Sequence, residues 1–141
     1  IPIVGQEERK IFTYSGLKTA MSRLVELEKV LTKEKIYNLA ACFQDVAFTH
    51  LIRVCSHVIN NSKFTINNLL VGGGVSANVE LRKRLRKMCK KSKIEVFFPY
   101  SKKLTGDNAA MIGVAAYFKA QRGEFINPDK IDRKPNAKIT D

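Results

Sequence analysis

The first apolar block along the chain is short. Ile11-Phe12-Thr13-Tyr14 follows an irregular stretch and predicts a brief strand. Ser15-Gly16 then breaks the pattern and suits a helix entry, with Ser15 as the capping hydroxyl. Leu17, Met21, Leu24, Val25, Leu27 and Leu31 recur at helical spacing, and Thr32-Lys33 punctuates. A longer helix is predicted over residues 34–60. Ile36, Leu39, Ala40, Phe43, Val46, Ala47, Val54, Val58 and Ile59 give it an apolar face broad enough to belong in a core. Asn67-Asn68-Leu69-Leu70-Val71 reads as a buried strand that ends at three glycines. A helix capped by Ser76 follows, with Val79, Leu81, Leu85, Met88 and Cys89 on its inner face. Residues 94–98 form the next strand, closed by Pro99. The last helix is predicted over residues 107–122, with Gly123 at its C-terminus. Strand, helix, strand, helix from residue 69 onward predicts an α/β layer architecture. Residues 1–126 form one unit in this reading, and residues 127–141 a polar, irregular tail.

Composition narrows the class. A chain of 141 residues, 45% hydrophobic, is about one domain with enough apolar surface for a core. No apolar run approaches the roughly 18 residues a membrane-spanning helix needs, so no membrane partner is expected. Ile1-Pro2-Ile3-Val4-Gly5 lacks both the basic start of a signal peptide and an initiating Met, so the chain reads as an excerpt or a processed product. Cys42, Cys55 and Cys89 form no CxxC pair and sit in apolar helical patterns. They read as buried free thiols of a reducing compartment, the cytoplasm or an organelle matrix such as the mitochondrial one. The net charge of +12 attracts polyanions: RNA above all, or an acidic protein.

Much of that charge lies on one helix, in Arg82, Lys83, Arg84, Arg86, Lys87, Lys90, Lys91 and Lys93. It is either a solvated face or a contact to an RNA backbone, for which Lys83, Lys87 and Lys90 are the candidates. Three further segments carry candidate chemistry. In Val71-Gly72-Gly73-Gly74-Val75-Ser76-Ala77-Asn78 the glycines allow a tight turn and close backbone approach, and the following helix N-terminus favours an anion. The segment is either a plain strand-to-helix turn or a nucleotide site built from Gly73, Gly74, Ser76 and Asn78. It matches neither the Walker pattern nor the dinucleotide fingerprint. In Thr105-Gly106-Asp107-Asn108-Ala109-Ala110-Met111-Ile112, Asp107 is either a helix cap or a carboxylate for a metal or phosphate. Asn78 and Asp107 each follow a strand, so both could face one cleft beyond the carboxyl ends of the sheet. In Phe12-Thr13-Tyr14-Ser15-Gly16-Leu17-Lys18-Thr19, Lys18 is either solvated or within reach of a phosphate.

These three segments, in this order, resemble the tRNA threonylcarbamoyladenosine transferase family, once described as O-sialoglycoprotein endopeptidases. Its hallmarks look like Phe-Ser-Phe-Ser-Gly-Leu-Lys-Thr, then Gly-Gly-Val-Ser-Ala-Asn with a following Leu-Arg, then Asp-Asn-Ala-Ala-Met-Ile. Here they stand from Phe12 to Thr19, from Gly73 to Asn78 with Leu81-Arg82, and from Asp107 to Ile112. Phe43-Gln44 and Phe98-Pro99 also fit, and the resemblance covers residues 11–126. Tyr14 replaces a usual Phe, Gly74 is an extra glycine, and residues 1–10 lack the usual Pro- and aromatic-rich approach.

The resemblance implies a partial actin-like ATPase (ribonuclease H-like) lobe, the C-terminal half of a two-lobed enzyme. Such enzymes move a threonylcarbamoyl group from threonylcarbamoyl-adenylate to the adenosine beside the anticodon of tRNAs reading codons that start with A. It further implies one divalent metal, iron or zinc, held by Asp107 and by a His-x-x-x-His pair of the N-terminal lobe. That pair is absent here: His50 and His57 are seven residues apart, and both read as structural or partner-facing. Asn78 matches the nucleotide-contacting asparagine, with threonylcarbamoyl-adenylate or ATP as the ligand. Implied partners are tRNA, the N-terminal lobe, and the paralogous and ATPase subunits of a threonylcarbamoylation complex. An isolated lobe exposes its inter-lobe face, so self-association is also expected. A non-catalytic nucleotide-, tRNA- or protein-binding lobe is the alternative. A metalloprotease, the older label, has no metalloprotease helix here to support it.

Overall fold

A computed structural model describes residues 7–133. The first five residues, read above as lacking a signal, and the last part of the tail lie outside it. Helices α1 (Ser15–Leu27) and α2 (Lys33–Asn60) come first, then strand β1 (Asn68–Leu70), helix α3 (Val79–Lys91), strand β2 (Glu95–Phe97) and helix α4 (Ala109–Gln121). Short 3-10 turns lie at Glu7–Arg9, Gly74–Ala77, Lys102–Leu104 and Pro128–Lys130. The last of these falls in the segment expected to be irregular.

Strands β1 and β2 pair in parallel, with Leu69 opposite Val96. Glu95 N–H to Asn67 C=O (2.9 Å) and Val71 N–H to Phe97 C=O (3.0 Å) extend the ladder at both ends. A parallel pair needs a crossover, and α3 supplies it. The result is an α/β arrangement in which α2 and α3 cover one face of a small sheet. Phe48 of α2, Leu81, Leu85, Met88 and Cys89 of α3, and Ile94 form the core, with Leu69 and Val96 packed against it.

Helix α3 is amphipathic because its apolar residues recur at three- and four-residue spacing. It stops in a Schellman motif. Ile94 N–H donates to Cys89 C=O (2.9 Å), Lys93 N–H to Lys90 C=O (3.4 Å), and buried Ile94 supplies the apolar contact. Gly123 closes α4 in the same way, with φ +72, as its sequence position suggested.

Several expectations are corrected. Residues 11–14 form no strand, because β1 and β2 pair with each other and leave this stretch without a ladder partner among the described residues. Ile11 is 61% exposed. Ser15 is the first helical residue rather than a cap; the cap position is Tyr14, without a side-chain bond. Helix α1 ends at Leu27, because Glu28 turns extended and its carboxylate clasps Lys35 across the turn into α2. Thr32 caps α2 by accepting from Lys35 N–H at 3.3 Å.

Only the second half of α2 reaches the core, through Phe48, His50 and Val54, while Ile36 and Tyr37 are exposed. Strand β1 is half-buried rather than buried: Leu69 faces the helices and Leu70 is 80% exposed. Ser76 does not cap α3; Asn78 does. Helix α4 starts at Ala109, capped by Asn108 rather than Asp107, and none of its residues is buried. Cys89 is buried as expected, whereas Cys42 is exposed on the outer part of α2.

Lys93 occupies the left-handed C′ position with φ +55. That conformation costs a side-chain-bearing residue about 1–2 kcal/mol, which glycine avoids while giving back part in chain entropy. Lys93→Gly is therefore expected to raise unfolding stability by about 0.5–1 kcal/mol in urea melts.

Candidate functional site: the glycine turn and its hollow

The turn between β1 and α3 is built from its backbone outward. Gly73 sits at φ +84, a conformation that requires glycine. A Cβ added at Gly72 or Gly74 would meet nothing within 4 Å, so the chain itself leaves that side of the turn open. The 3-10 turn Gly74–Ala77 then carries the chain to Asn78. The Asn78 side-chain oxygen accepts from Glu80 N–H (2.9 Å) and Leu81 N–H (3.1 Å), and its Nδ2 donates to Gln44 Oε1 on α2 (2.9 Å). Both ends of the predicted nucleotide-contacting amide are thus engaged within the protein.

Arg82 holds the other side of the turn. Its Nε donates to Ser76 C=O (2.6 Å), a terminal nitrogen donates to Pro99 C=O (3.2 Å), and the guanidinium lies 5.0 Å from the Phe98 ring centre. Ser76 is 1% exposed, and its hydroxyl has no partner among the described residues. The sequence pattern counted Arg82 among charges that are either solvated or in contact with RNA, and gave Gln44 no role. Each makes a contact across a long sequence separation, which periodicity does not register.

A hollow of about 490 Å³ opens beside the turn. Tyr14 and Lys18 of the first motif line it, with Gln44 and Phe48 of α2 and Val75 of the glycine turn. The first two motifs therefore meet. Lys18 is exposed and is the one cation among the lining residues. Burial pushes the Tyr14 hydroxyl pKa up, and the neighbouring Cys55 adds to this, so the phenol stays neutral. His50, buried with no partner for either ring nitrogen among the described residues, stands edge-on to Tyr14 at 5.7 Å between ring centres. His57 lies in the last turn of α2, where its carbonyl accepts the Asn61 side-chain amide at 2.8 Å. His50 is thus buried against Tyr14, whereas His57 is half-buried.

The third motif stands apart. Asp107 is exposed ahead of α4 and lines neither this hollow nor a smaller one of about 280 Å³ under Val75 and Ser76. Among the described residues, no three His, Cys, Asp or Glu side chains are grouped to hold a metal. One exposed carboxylate does not by itself make a metal centre.

The basic helix divides. Lys83, Lys87 and Lys90 are exposed. Arg84 is paired instead, to Asp45 (2.7 Å) and Glu80 (2.8 Å), and it donates to Thr49 Oγ1 (3.2 Å), tying α3 to α2. The hydrogen bond from Arg84 holds the Glu80 carboxyl below its ordinary pKa range.

Fold and turn together define an α/β protein with a glycine-rich strand-to-helix connection. The sequence is matched by a family model described as tRNA N6-adenosine threonylcarbamoyltransferase over residues 1–114. The chain belongs to this family. Curated relatives carry the same name. The protein from Clostridium beijerinckii is 39% identical over 141 aligned residues, covering 95% of this chain and 39% of that protein. The protein from Gloeothece citriformis is 38% identical over 130 residues, covering 92% and 36%. The one from Nautilia profundicola is 37% identical over 116 residues, covering 82% and 33%. The chain thus spans little more than a third of the length of such relatives. No helix among the described residues is long and apolar enough to cross a membrane.

The glycine turn makes a separable prediction. Gly73→Ala is expected to destabilise the fold by about 1–2 kcal/mol, because alanine resists the positive φ. Gly74→Ala, whose Cβ enters open space, is expected to stay within about 0.5 kcal/mol of wild type. Denaturant melts of the two variants check this.

Proposed function

We propose that this chain is the C-terminal portion of a tRNA threonylcarbamoyladenosine transferase, a lobe of the actin-like ATPase (ribonuclease H-like) class. In this reading it acts, within the longer protein, in transfer of the threonylcarbamoyl group from threonylcarbamoyl-adenylate to the adenosine beside the anticodon of tRNAs reading codons that start with A. One observation carries the reading: Lys18 and Val75, the residue that follows the glycine run, are far apart in the sequence and line the same hollow.

The proposed roles are these. Lys18 supplies a positive charge to a nucleotide phosphate. Backbone N–H groups at Gly73 and Gly74 approach the ligand, where no side chain intervenes. Ser76 and Asn78 contribute to the nucleotide side, with Asn78 also fixing the turn through Gln44 and α3. Catalysis of this kind rests on positioning and charge stabilisation. Asp107 offers one carboxylate to a divalent metal, iron or zinc, whose other donors come from outside this chain. Lys83, Lys87 and Lys90 contribute to the basic field that meets tRNA. The remaining lobe, a paralogous subunit and an ATPase are the proposed protein partners, and the cytoplasm or an organelle matrix the compartment.

A second reading has its own support. The Asn78 amide is engaged at both ends within the protein, which suits a structural role for Asn78 in a lobe that binds tRNA or a protein without catalysis. An assay of threonylcarbamoyl transfer to tRNA separates the two, run with this chain alone and within the longer protein. Activity is expected only in the longer protein, and Lys18→Ala there should lower the rate about tenfold or more. Wild-type rates in Lys18→Ala, or full activity of this chain alone, would sink the proposal.

A further inference from the structure

The packed faces of α2 and α3 leave a second hollow, of about 290 Å³, away from the glycine turn. From α2 it is lined by Thr49, Ile52, Arg53 and Ser56. From α3 it is lined by Arg84, Lys87, Met88 and Lys91. Both sets follow the same three-and-four spacing, so one stripe of each helix faces the other along a groove. Ile52 packs against the core and Met88 is buried, which gives the groove an apolar floor. Its walls carry hydroxyls and cations.

The acids of the groove's helical walls lie at one end. At one end Arg84 is balanced by Asp45 and Glu80. Beyond that point neither helical wall carries an acid: residues 49–60 of α2 and 81–91 of α3 contain no Asp or Glu. Lys87 and Lys91, one turn apart on α3, line this strip, and Ser56 lines it from α2. Fixed helix backbones on both sides hold the spacing of these groups.

We propose that this end of the α2–α3 groove is a backbone-binding site for RNA, in which Lys87 and Lys91 contact successive phosphates and the Ser56 hydroxyl adds a hydrogen bond from the opposite wall. The proposal rests on the tRNA reading above and deepens it by assigning the contact to one groove. It also divides the basic helix. Lys87 and Lys91 line the groove, while Lys83 and Lys90 do not and act only through the long-range field.

The test compares two double variants that lower the net charge equally and each touch one lysine of the last helical turn. Binding of the chain to tRNA is measured at low salt and across a salt titration. Lys87→Glu with Lys91→Glu is expected to weaken binding about tenfold or more, and to flatten the slope of log affinity against log salt by roughly one for each phosphate no longer engaged. Lys83→Glu with Lys90→Glu is expected to change affinity less than about threefold. Circular dichroism checks folding, and the milder pair Lys87→Gln with Lys91→Gln is expected to give an intermediate loss. Equal losses in the two charge-reversal pairs, or none in the groove pair, would overturn the groove while leaving tRNA binding in place. Competition by polyglutamate as effective as by tRNA would overturn it in favour of an acidic protein partner. Wild-type chain that fails to bind tRNA at low salt would overturn both the groove and the tRNA reading.

Discussion

The Asn78 side chain is the constraint on which the site depends. Its oxygen satisfies two N–H groups at the start of α3, and its nitrogen reaches α2 through Gln44. A cap of this kind contributes about 1 kcal/mol, and the bond to Gln44 adds a net stabilisation of order 1 kcal/mol. The geometric effect matters more than the energy. Capping fixes where α3 begins, and the contact to Gln44 fixes the turn against the helix that also lines the hollow. Arg82 secures the opposite side by binding carbonyls of the turn and of the loop after β2. Between these two anchors the glycines need only one special conformation, at Gly73, and the remaining open space faces outward.

The same economy explains how the basic helix works. A count of charges treats its arginines and lysines alike. Arginine's planar fork, however, suits several fixed acceptors at once. Arg82 and Arg84 use it to staple loops and helices, and Arg86 lies over Phe98 at 5.1 Å from the ring centre. The lysines, with flexible stems and compact charges, remain at the surface. Net charge thus does not tell which basic residues are spent on the fold and which stay exposed.

Much of the fold was legible from periodicity. Helix α3 has a clear apolar stripe with charges around it, and the long apolar face of α2 marks a helix whatever covers it. The glycine run and the strand before it announced a strand-to-helix turn. Other features depend on distant contacts that a local pattern does not carry. Residues 11–14 have strand-like composition, yet a strand exists only with a ladder partner. Helix α4 is apolar on every side, so its sequence could not say which face packs; here Met111, Ile112, Val114 and Phe118 are all exposed. The cap moved from Ser76 to Asn78 because Ser76 is drawn inward beneath the turn, two residues before the cap position. Of the candidate site, Lys18 lines the hollow together with Val75 of the glycine turn, whereas Gly73, Gly74, Ser76, Asn78 and Asp107 are not among its lining residues.

The central claim is that this hollow, and not the basic groove or the α4 surface, receives the nucleotide. Amide chemical-shift mapping on the isotope-labelled chain, titrated with ATP, tests it most directly. The account predicts saturable shifts that share one dissociation constant at Lys18, Gly73, Gly74 and Val75. Saturable shifts confined to α3 lysines or to α4, with the turn and Lys18 unmoved, would contradict it.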